Sequence, residues 1–328
     1  MYGWHGRLLR VNLSDGSIQE EEIPEAEAQK YIGGRGLAIK YLLEGMDPQA
    51  DPLSPQNLLI MATGPLTSTP APTGNRYMVV TKSPLTGALS NSNSGGTFPT
   101  MMKRSGYDLF VFEGRADKPV YLYVDERKAE LRQAAHLWGQ DTHQTDDLVR
   151  AETSEDASVA CIGPAGENMA LIAAIMNDKH RAAARSGVGA VMGAKNLKAV
   201  AVRGRLKPEL HDAKALRAVV RDSNKQLAAD IKQGATMRIY GTSYVPDVTH
   251  EAGVFPTHNF QFGQFEGTHK INGPFLRENF LIRHTGCYAC PLACARLTEV
   301  KAEEWGEQFA GQGEGPEYES IGSLGSAC

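Results

Sequence analysis

Hydrophobic and polar residues alternate along much of the first two hundred positions, which is typical of half-buried β-strands. The chain opens with two such stretches, 6–13 and 17–23, separated by Ser14-Asp15-Gly16, and this arrangement predicts a β-hairpin. Pro24 then begins a short predicted helix. The same pattern predicts further strands at 57–62, 76–82, 107–113, 120–124, 129–132, 158–162, 171–176 and 197–203.

The pattern changes near residue 206. From residue 212 onward apolar residues recur with helical spacing, most clearly over 216–233, and aromatic loops interrupt them. We therefore predict an α+β protein with a β-rich domain at 1–206 and an α-helical domain at 207–328. The small residues at 322–328 resemble the middle of a packed element, so we expect the chain to be a segment of a longer protein.

Composition and charge exclude several classes of protein. Hydrophobic residues make up 41% of the chain and charged residues 22%, as in ordinary globular proteins. The net charge of −4 provides no basic surface for nucleic acid. The chain begins without a secretory leader and contains no apolar run long enough to cross a membrane, which favours a cytoplasmic location.

Glycine-rich loops are the first chemical signal. They lie at 32–36, 73–76, 91–96, 163–168 and 186–193, and none forms a Walker or dinucleotide motif. Each loop alone is compatible with an ordinary tight turn. Basic and amide side chains in or near these loops suit an anionic cofactor that accepts many hydrogen bonds: Arg76, Lys82, Asn93, Arg181 and Arg185.

Three cysteines form the second signal. Cys287, Cys290 and Cys294 have the spacing C-x-x-C-x-x-x-C, which suits three corners of an iron–sulfur cluster. A zinc site would need a second ligand pair that the sequence lacks, and unligated core thiols are a further alternative. Cys161 lies in an apolar strand and is predicted to be a small buried residue. Cys328 is a possible fourth ligand, disfavoured by its position at the last residue.

The whole chain resembles the tungsten-containing aldehyde:ferredoxin oxidoreductases. The resemblance is carried by these segments, in the same order: RGLA (35–38), ATGPLT (62–67), APTG (71–74), TKSPLTG (81–87), NSGG (93–96), IGPAGEN (162–168), GVGAVMGAKNLKA (187–199), CYACP (287–291) and GPEYES (315–320). It implies a base of two sheets beneath a metal held by two pterins, followed by helical domains. Family members are roughly twice as long.

The resemblance also implies specific site residues. The pterins and their phosphates would be bound by Arg76, Asn93, Gly95, Arg181 and Ala182. Cys287, Cys290 and Cys294 would bind a 4Fe-4S cluster, whose fourth ligand would lie beyond this chain, and Glu319 would lie beside the metal in the substrate pocket. The metal would be tungsten or molybdenum, and a Mg²⁺ ion bridging the pterin phosphates is a further component that such a site can carry.

The function implied is oxidation of a small aldehyde to a carboxylic acid, with electrons passed through the cluster to ferredoxin or a similar acceptor. A homodimer or additional electron-transfer subunits are compatible with it, and the segment alone is expected to be inactive. One alternative is a relative acting on another carbonyl or acyl-thioester substrate. Others are an electron carrier with a cluster and no catalytic metal, and a zinc-stabilised binding module.

Overall fold

The structure, a computed structural model, describes residues 1–232 and 236–328. It divides into two compact units, unit 1 (Met1–Arg217) and unit 2 (Ala218–Cys328). Both units contain sheets and helices, which confirms the predicted α+β class. Within the two described ranges, no helix has both the length and the apolar character needed to cross a bilayer.

Unit 1 begins with a six-stranded sheet in which neighbouring strands are mostly antiparallel. Its spatial order is β2-β1-β6-β3-β4-β5, and β1 and β6 form its parallel pair. Hydrophobic residues of β1, β3, β4 and β6 are buried, whereas β2 has no buried residue and the buried side chains of β5 are serines. The strands are β1 (Arg7–Asn12), β2 (Ile18–Glu22), β3 (Leu59–Thr63), β4 (Tyr77–Lys82), β5 (Leu89–Ser94) and β6 (Leu109–Glu113).

The second sheet of unit 1 also has six strands. Its order is β11-β10-β9-β12-β7-β8, so the last strand in sequence lies between β9 and β7, parallel to β7. This central strand is buried over most of its length. The strands are β7 (Val120–Asp125), β8 (Lys128–Gln133), β9 (Ser158–Cys161), β10 (Ile175–Asn177), β11 (Arg181–Ala183) and β12 (Leu197–Arg203).

One hydrophobic core joins the two sheets of unit 1. Two helices, α3 (Phe98–Arg104) and α6 (Val188–Ala194), contribute Phe98 and Val191 to this core and contact strands of both sheets. The outer face of the first sheet packs against residues of α1 (Glu25–Tyr31) and α2 (Gly34–Gly45). The outer face of the second sheet packs against α4 (Thr142–Glu152), and a short helix α5 (Pro164–Glu167) contacts α6.

Unit 2 combines short helices with a small antiparallel sheet. Phe255, Leu276 and Ile321 form its buried apolar cluster. The sheet has the order β13-β14-β15, formed by β13 (Leu281–Thr285), β14 (Ala295–Val300) and β15 (Gly311–Glu314). From residue 213 onward the helices are α7 (Ala213–Lys232), α8 (Thr236–Tyr240), α9 (Val245–Glu251), α10 (Gly273–Phe280), α11 (Ala302–Trp305), α12 (Tyr318–Ile321) and a π-helical turn at Gly322–Ser326.

Several details differ from the sequence predictions. The predicted loop at 91–96 is wrong, because residues Leu89–Ser94 form a strand. The predicted strand at 171–176 is reduced to Ile175–Asn177, and the glycine loop at 32–36 contains the start of α2 at Gly34. The three-stranded sheet of unit 2 was not anticipated. The predicted helix at 216–233 is present as part of α7, although residue 233 lies outside the described residues.

Candidate functional site

Two edge strands of unit 1 meet where its two sheets come together. β5 is the last strand of the first sheet and β11 is the last strand of the second, and residues of the two strands contact each other. The Arg185 backbone N–H, just after β11, donates to Ser92 Oγ of β5 at 3.0 Å. We call this line of contact, formed by residues 91–97 and 177–185, the seam.

The five predicted cofactor-binding residues converge on the seam. Arg76, which precedes β4, donates from Nε to Asn93 Oδ1 at 2.7 Å. Gly95 follows β5 and is buried, whereas Arg181 and Ala182 lie on β11, half-buried and exposed respectively. The structure thus brings together residues separated by a hundred positions, and the guanidinium of Arg76 remains exposed.

Asp178 holds the seam together and was missed by the sequence analysis. Its Oδ2 accepts hydrogen bonds from the backbone N–H groups of Thr97 at 2.7 Å and Phe98 at 3.0 Å, and from Asn177 Nδ2 at 2.9 Å. Its Oδ1 accepts from Thr97 Oγ1 at 2.7 Å and from Ser158 Oγ. The carboxylate therefore caps the start of α3 and ties the β10–β11 turn to the first sheet.

Asn177 and Gly96 complete this connection. Asn177 Nδ2 also donates to Gly95 O at 2.9 Å. Gly96 has a φ of +88°, and a Cβ at that position would overlap the Asp178 carboxylate and lie 3.0 Å from Asn177 Nδ2. A glycine is needed here for both its backbone conformation and its lack of a side chain.

Not every basic residue of the glycine loops belongs to the seam. Lys82 Nζ donates to the carbonyl oxygens of Pro48 at 2.7 Å and Ala50 at 2.8 Å. Two of its three donors therefore hold a neighbouring turn, which argues against the interpretation of Lys82 as a cofactor contact. Arg185, in contrast, is exposed at the end of the seam.

The predicted cluster ligands lie on the hairpin loop of unit 2 that joins β13 to β14. Cys287, Cys290 and Cys294 are all half-buried. The loop folds back tightly, because the Cys290 N–H donates to Cys287 O at 3.1 Å and a Cβ on Gly286 would lie 2.9 Å from Ala293 Cα. Ala293 itself has a positive φ of 40°.

The surroundings of this loop suit an electron-rich, anionic group. Arg238 donates from Nη1 to Leu292 O and Ala293 O, each at 3.3 Å. His284 Nδ1 and Thr285 Oγ1 are buried and have no hydrogen-bond partner among the described residues. Burial lowers the pKa of His284, and the positive charges of Arg238, Arg277 and Arg296 lower it further.

The three cysteines do not form a site for a single ion. Within residues 1–232 and 236–328, no group of three or more His, Cys, Asp or Glu side chains is close enough to hold one metal ion. A zinc site would need a tight tetrahedral set, whereas each corner of an iron–sulfur cluster takes one cysteine. The spacing of the three cysteines remains the observation that favours a cluster.

The remaining predicted residues have clear structural settings. Glu319 lies on α12 and is exposed, whereas Glu317, two residues earlier, accepts hydrogen bonds from Thr242 and Arg296. Cys161 is buried in β9, as predicted, and burial raises the pKa of its thiol to about 12. Cys328 is exposed, and its Sγ donates to Ser323 O at 3.2 Å.

Family profiles match both units. The profile "Aldehyde ferredoxin oxidoreductase, N-terminal domain" matches residues 8–204, and "Aldehyde ferredoxin oxidoreductase, domains 2 & 3" matches residues 218–328. Both profiles describe one oxidoreductase family. The chain belongs to the aldehyde ferredoxin oxidoreductase family.

Individual relatives agree with this assignment. The chain is 48% identical over 327 residues to the tungsten-containing aldehyde ferredoxin oxidoreductase of Pyrococcus furiosus, covering 99% of this chain and 53% of the relative. The Thermococcus kodakarensis protein of the same name is also 48% identical with the same coverage. The WOR-like subunit of an aliphatic sulfonate oxidoreductase from P. furiosus is 29% identical, covering 99% of this chain and 54% of that subunit.

A solved structure shares the fold. The active site complex BamBC of benzoyl coenzyme A reductase, in complex with 1,5 dienoyl-CoA, superposes with a TM-score of 0.81 at 31% identity. The match covers 96% of this chain and 49% of that one. The chain thus spans about half the length of the curated relatives it matches.

Proposed function

We propose that the whole protein, acting in the cytoplasm, oxidises small aldehydes to carboxylic acids at a tungsten centre held by two pterins. Electrons leave through a 4Fe-4S cluster to ferredoxin or a similar acceptor. The observation that carries this proposal is the convergence of Arg76, Asn93, Gly95, Arg181 and Ala182 at the seam. Support comes from the 48% identity to proteins whose name specifies both tungsten and aldehyde oxidation.

The residues of the seam would bind and orient the cofactor. Arg76 is exposed and fixed by Asn93, so its guanidinium is placed to bind pterin phosphate with little loss of side-chain entropy. Arg181 would add a second cation from the opposite sheet. The cofactor, when bound, supplies the two-electron redox chemistry. Oxygen atoms of the seam's backbone and amides are suitable ligands for a Mg²⁺ ion between the phosphates.

The cysteine loop would bind three corners of the cluster, and the fourth ligand would come from beyond this chain. The Arg238 and Arg296 side chains use their donors on carbonyl oxygens of the loop, which keeps positive charge beside it. A nearby cation stabilises an anionic cluster, so both arginines favour its reduced form. The cluster would accept and release electrons one at a time.

Glu319 would handle protons in the reaction, which converts an aldehyde and water to a carboxylic acid, two protons and two electrons. Its carboxylate forms no hydrogen bond or ion pair with the described part of the chain, unlike that of Glu317. An unengaged carboxylate is available to accept a hydrogen bond from water and then a proton. Glu319 would thus orient the attacking water and receive its proton.

The fold match to benzoyl coenzyme A reductase supports one alternative. A protein that shares 31% identity and this fold acts on an acyl-thioester, so the same seam and cysteine loop are compatible with reductive chemistry on such a substrate. The higher identity to the aldehyde oxidoreductases favours aldehyde oxidation.

The proposal is tested on the whole protein, purified without oxygen. We expect about one tungsten or molybdenum and about four iron atoms per chain, together with aldehyde-dependent reduction of ferredoxin. Cys290→Ala should lose iron and activity, and Cys161→Ala, which removes a thiol from β9, should keep both. Iron without tungsten or molybdenum would indicate an electron carrier instead. Zinc without iron would contradict the cluster, and activity only on an acyl-thioester would favour the alternative.

A further inference from the structure

Arg296 is the most deeply buried cation of unit 2 among the described residues, and the proposed function leaves its connections unexplained. It lies on β14, two residues after Cys294, and its side chain is only 1% exposed. Its Nη1 donates to Cys294 O at 3.0 Å. Its Nη2 donates to Pro316 O at 2.9 Å and to Glu317 Oε1 at 3.2 Å. One guanidinium thus joins the cysteine loop to the segment that precedes α12.

Glu317 extends this connection to the helix that carries Glu319. Its second oxygen, Oε2, accepts hydrogen bonds from the Thr242 N–H at 3.3 Å and from Thr242 Oγ1. Thr242 Oγ1 in turn accepts from the Tyr318 N–H at 2.8 Å, at the first residue of α12. The position of Glu319 is therefore set through Glu317 and Thr242 rather than by contacts of its own.

The space around the guanidinium is built to receive it. Gly241 has a φ of +58°, and a Cβ there would overlap Arg296 Nη1 and approach Cys294 O. Burial of a cation is costly unless its charge and its donors are satisfied, and here Nε finds no partner among the described residues. Apolar packing of the same volume would avoid this cost, so the connections made by Arg296 require another explanation.

We propose that Arg296 is a positioning residue that couples the cysteine loop to the Glu317–Glu319 segment. A change in the cysteine loop moves Cys294 O, and the rigid guanidinium transmits that change to Glu317 and so to the start of α12. In the other direction, loss of the Glu317 charge releases Arg296 and loosens the loop. The coupling would link electron transfer at the cysteine loop to proton transfer at Glu319, and this interpretation rests on the proposed function.

Hydrogen exchange measured by mass spectrometry on the whole protein tests the coupling without turnover. In Glu317→Gln, we expect amides of residues 287–294 to exchange about tenfold faster or more, because the ion pair that holds Arg296 from its far side is lost. Arg296→Lys should accelerate exchange in both 287–294 and 317–321, since one ammonium cannot reach all three acceptors. The matched controls, Glu304→Gln and Arg283→Lys, change exposed residues and should leave both segments unchanged.

A second readout is the reduction potential of the cluster. Arg296→Met removes the charge, so the ratio of reduced to oxidised cluster at a fixed potential should fall about tenfold, or about 59 mV for a one-electron couple. Arg296→Lys keeps the positive charge, so the ratio of reduced to oxidised cluster should stay close to the wild-type value. If Arg296→Met does not fold, Glu317→Gln still decides the question.

The proposal is overturned if Glu317→Gln accelerates exchange only near residue 317 and the cysteine loop exchanges at the wild-type rate. It is equally overturned if Arg296→Lys leaves both segments unchanged. A protein that shows the coupling but oxidises no aldehyde would contradict the proposed function and not the coupling. An active enzyme without the coupling would contradict the coupling and not the proposed function.

Discussion

The Asp178 carboxylate accepts five hydrogen bonds at the seam, and its removal has a calculable cost. Asp178→Ala leaves the backbone N–H groups of Thr97 and Phe98 without this acceptor, while the Asn177 amide keeps its hydrogen bond to Gly95 O. Loss of a helix cap costs about 0.5–2 kcal/mol, and hydrogen bonds to a charged group contribute about 1.5–3 kcal/mol each, although such values are not additive. We expect a loss of about 3–5 kcal/mol in the free energy of unfolding of unit 1.

Asp178→Asn should cost much less, and the reason lies in how the five hydrogen bonds divide. One oxygen accepts from the two backbone N–H groups and an amide, whereas the other accepts only from the hydroxyls of Thr97 and Ser158. An asparagine can place its oxygen toward the N–H groups and its NH₂ toward the hydroxyls, which can also accept. Only the charge assistance is lost, at about 1–2 kcal/mol.

Urea unfolding of residues 1–328 provides the measurement. Trp4 and Trp138 lie in unit 1, so a Trp305→Phe background makes the fluorescence report that unit. The control is Asp147→Ala, which removes an exposed carboxylate paired with Lys179 and should cost less than about 1 kcal/mol. The reasoning is refuted if Asp178→Ala is no more destabilising than this control. It is also refuted if Asp178→Asn is as costly as Asp178→Ala.

Three further predictions concern buried groups of unit 1. Burial lowers the pKa of Lys195 to about 7, so between about pH 7 and pH 10 the unfolded chain holds a proton that the folded chain lacks. The contribution of Lys195 to stability must therefore rise with pH in that range. Lys195→Met should abolish the rise of the urea midpoint measured from pH 7 to 9.5. The prediction is contradicted if the midpoint depends on pH in the variant as it does in the wild type. Iodoacetamide at pH 8 should label exposed Cys328 rapidly and Cys161 only after unfolding, as followed by mass spectrometry, because burial raises the pKa of Cys161 to about 12. In urea unfolding, Gly96→Ala should destabilise unit 1 by at least about 2 kcal/mol more than Gly87→Ala. Both glycines have a positive φ, but only a Cβ at position 96 would overlap a carboxylate, that of Asp178.

Alternation of hydrophobic and polar residues predicts the fold of unit 1 well, and it fails where the buried face is itself polar. Strands such as β12 have apolar side chains and were placed correctly. The pattern predicts a loop at β5 because Ser90, Ser92 and Ser94 form the buried face of this strand. These serines satisfy their polar groups within unit 1, for example through the Arg185 N–H at Ser92 Oγ, and no pattern along the chain reports such partners.

The candidate site could be predicted only in part, for a related reason. The glycine loops and their basic and amide side chains already indicate Arg76, Asn93 and Arg181 as residues suited to an anionic cofactor, and the resemblance adds Gly95 and Ala182. The sequence does not reveal the role of Asp178, because its main partners, Thr97 and Phe98, lie about eighty positions away. A carboxylate that acts through tertiary contacts has no local signature in sequence. Arg296 is a second such case. The sequence shows that it follows Cys294 by two residues, but it does not show that its side chain contacts Glu317.

The strand order of unit 1 dictates when it can fold during synthesis. β1 needs β6 as its parallel neighbour, and β9 and β7 are joined only by β12, which ends at Arg203. Ribosomes add about 5–20 residues per second, so residue 203 follows the start of β7 by about 4–16 seconds, and the second sheet stays divided for that time. During this interval the apolar edges of β9 and β7 are open to mispairing with other chains. Nascent chains arrested before residue 203 should therefore depend on chaperones, and those arrested well beyond it should not.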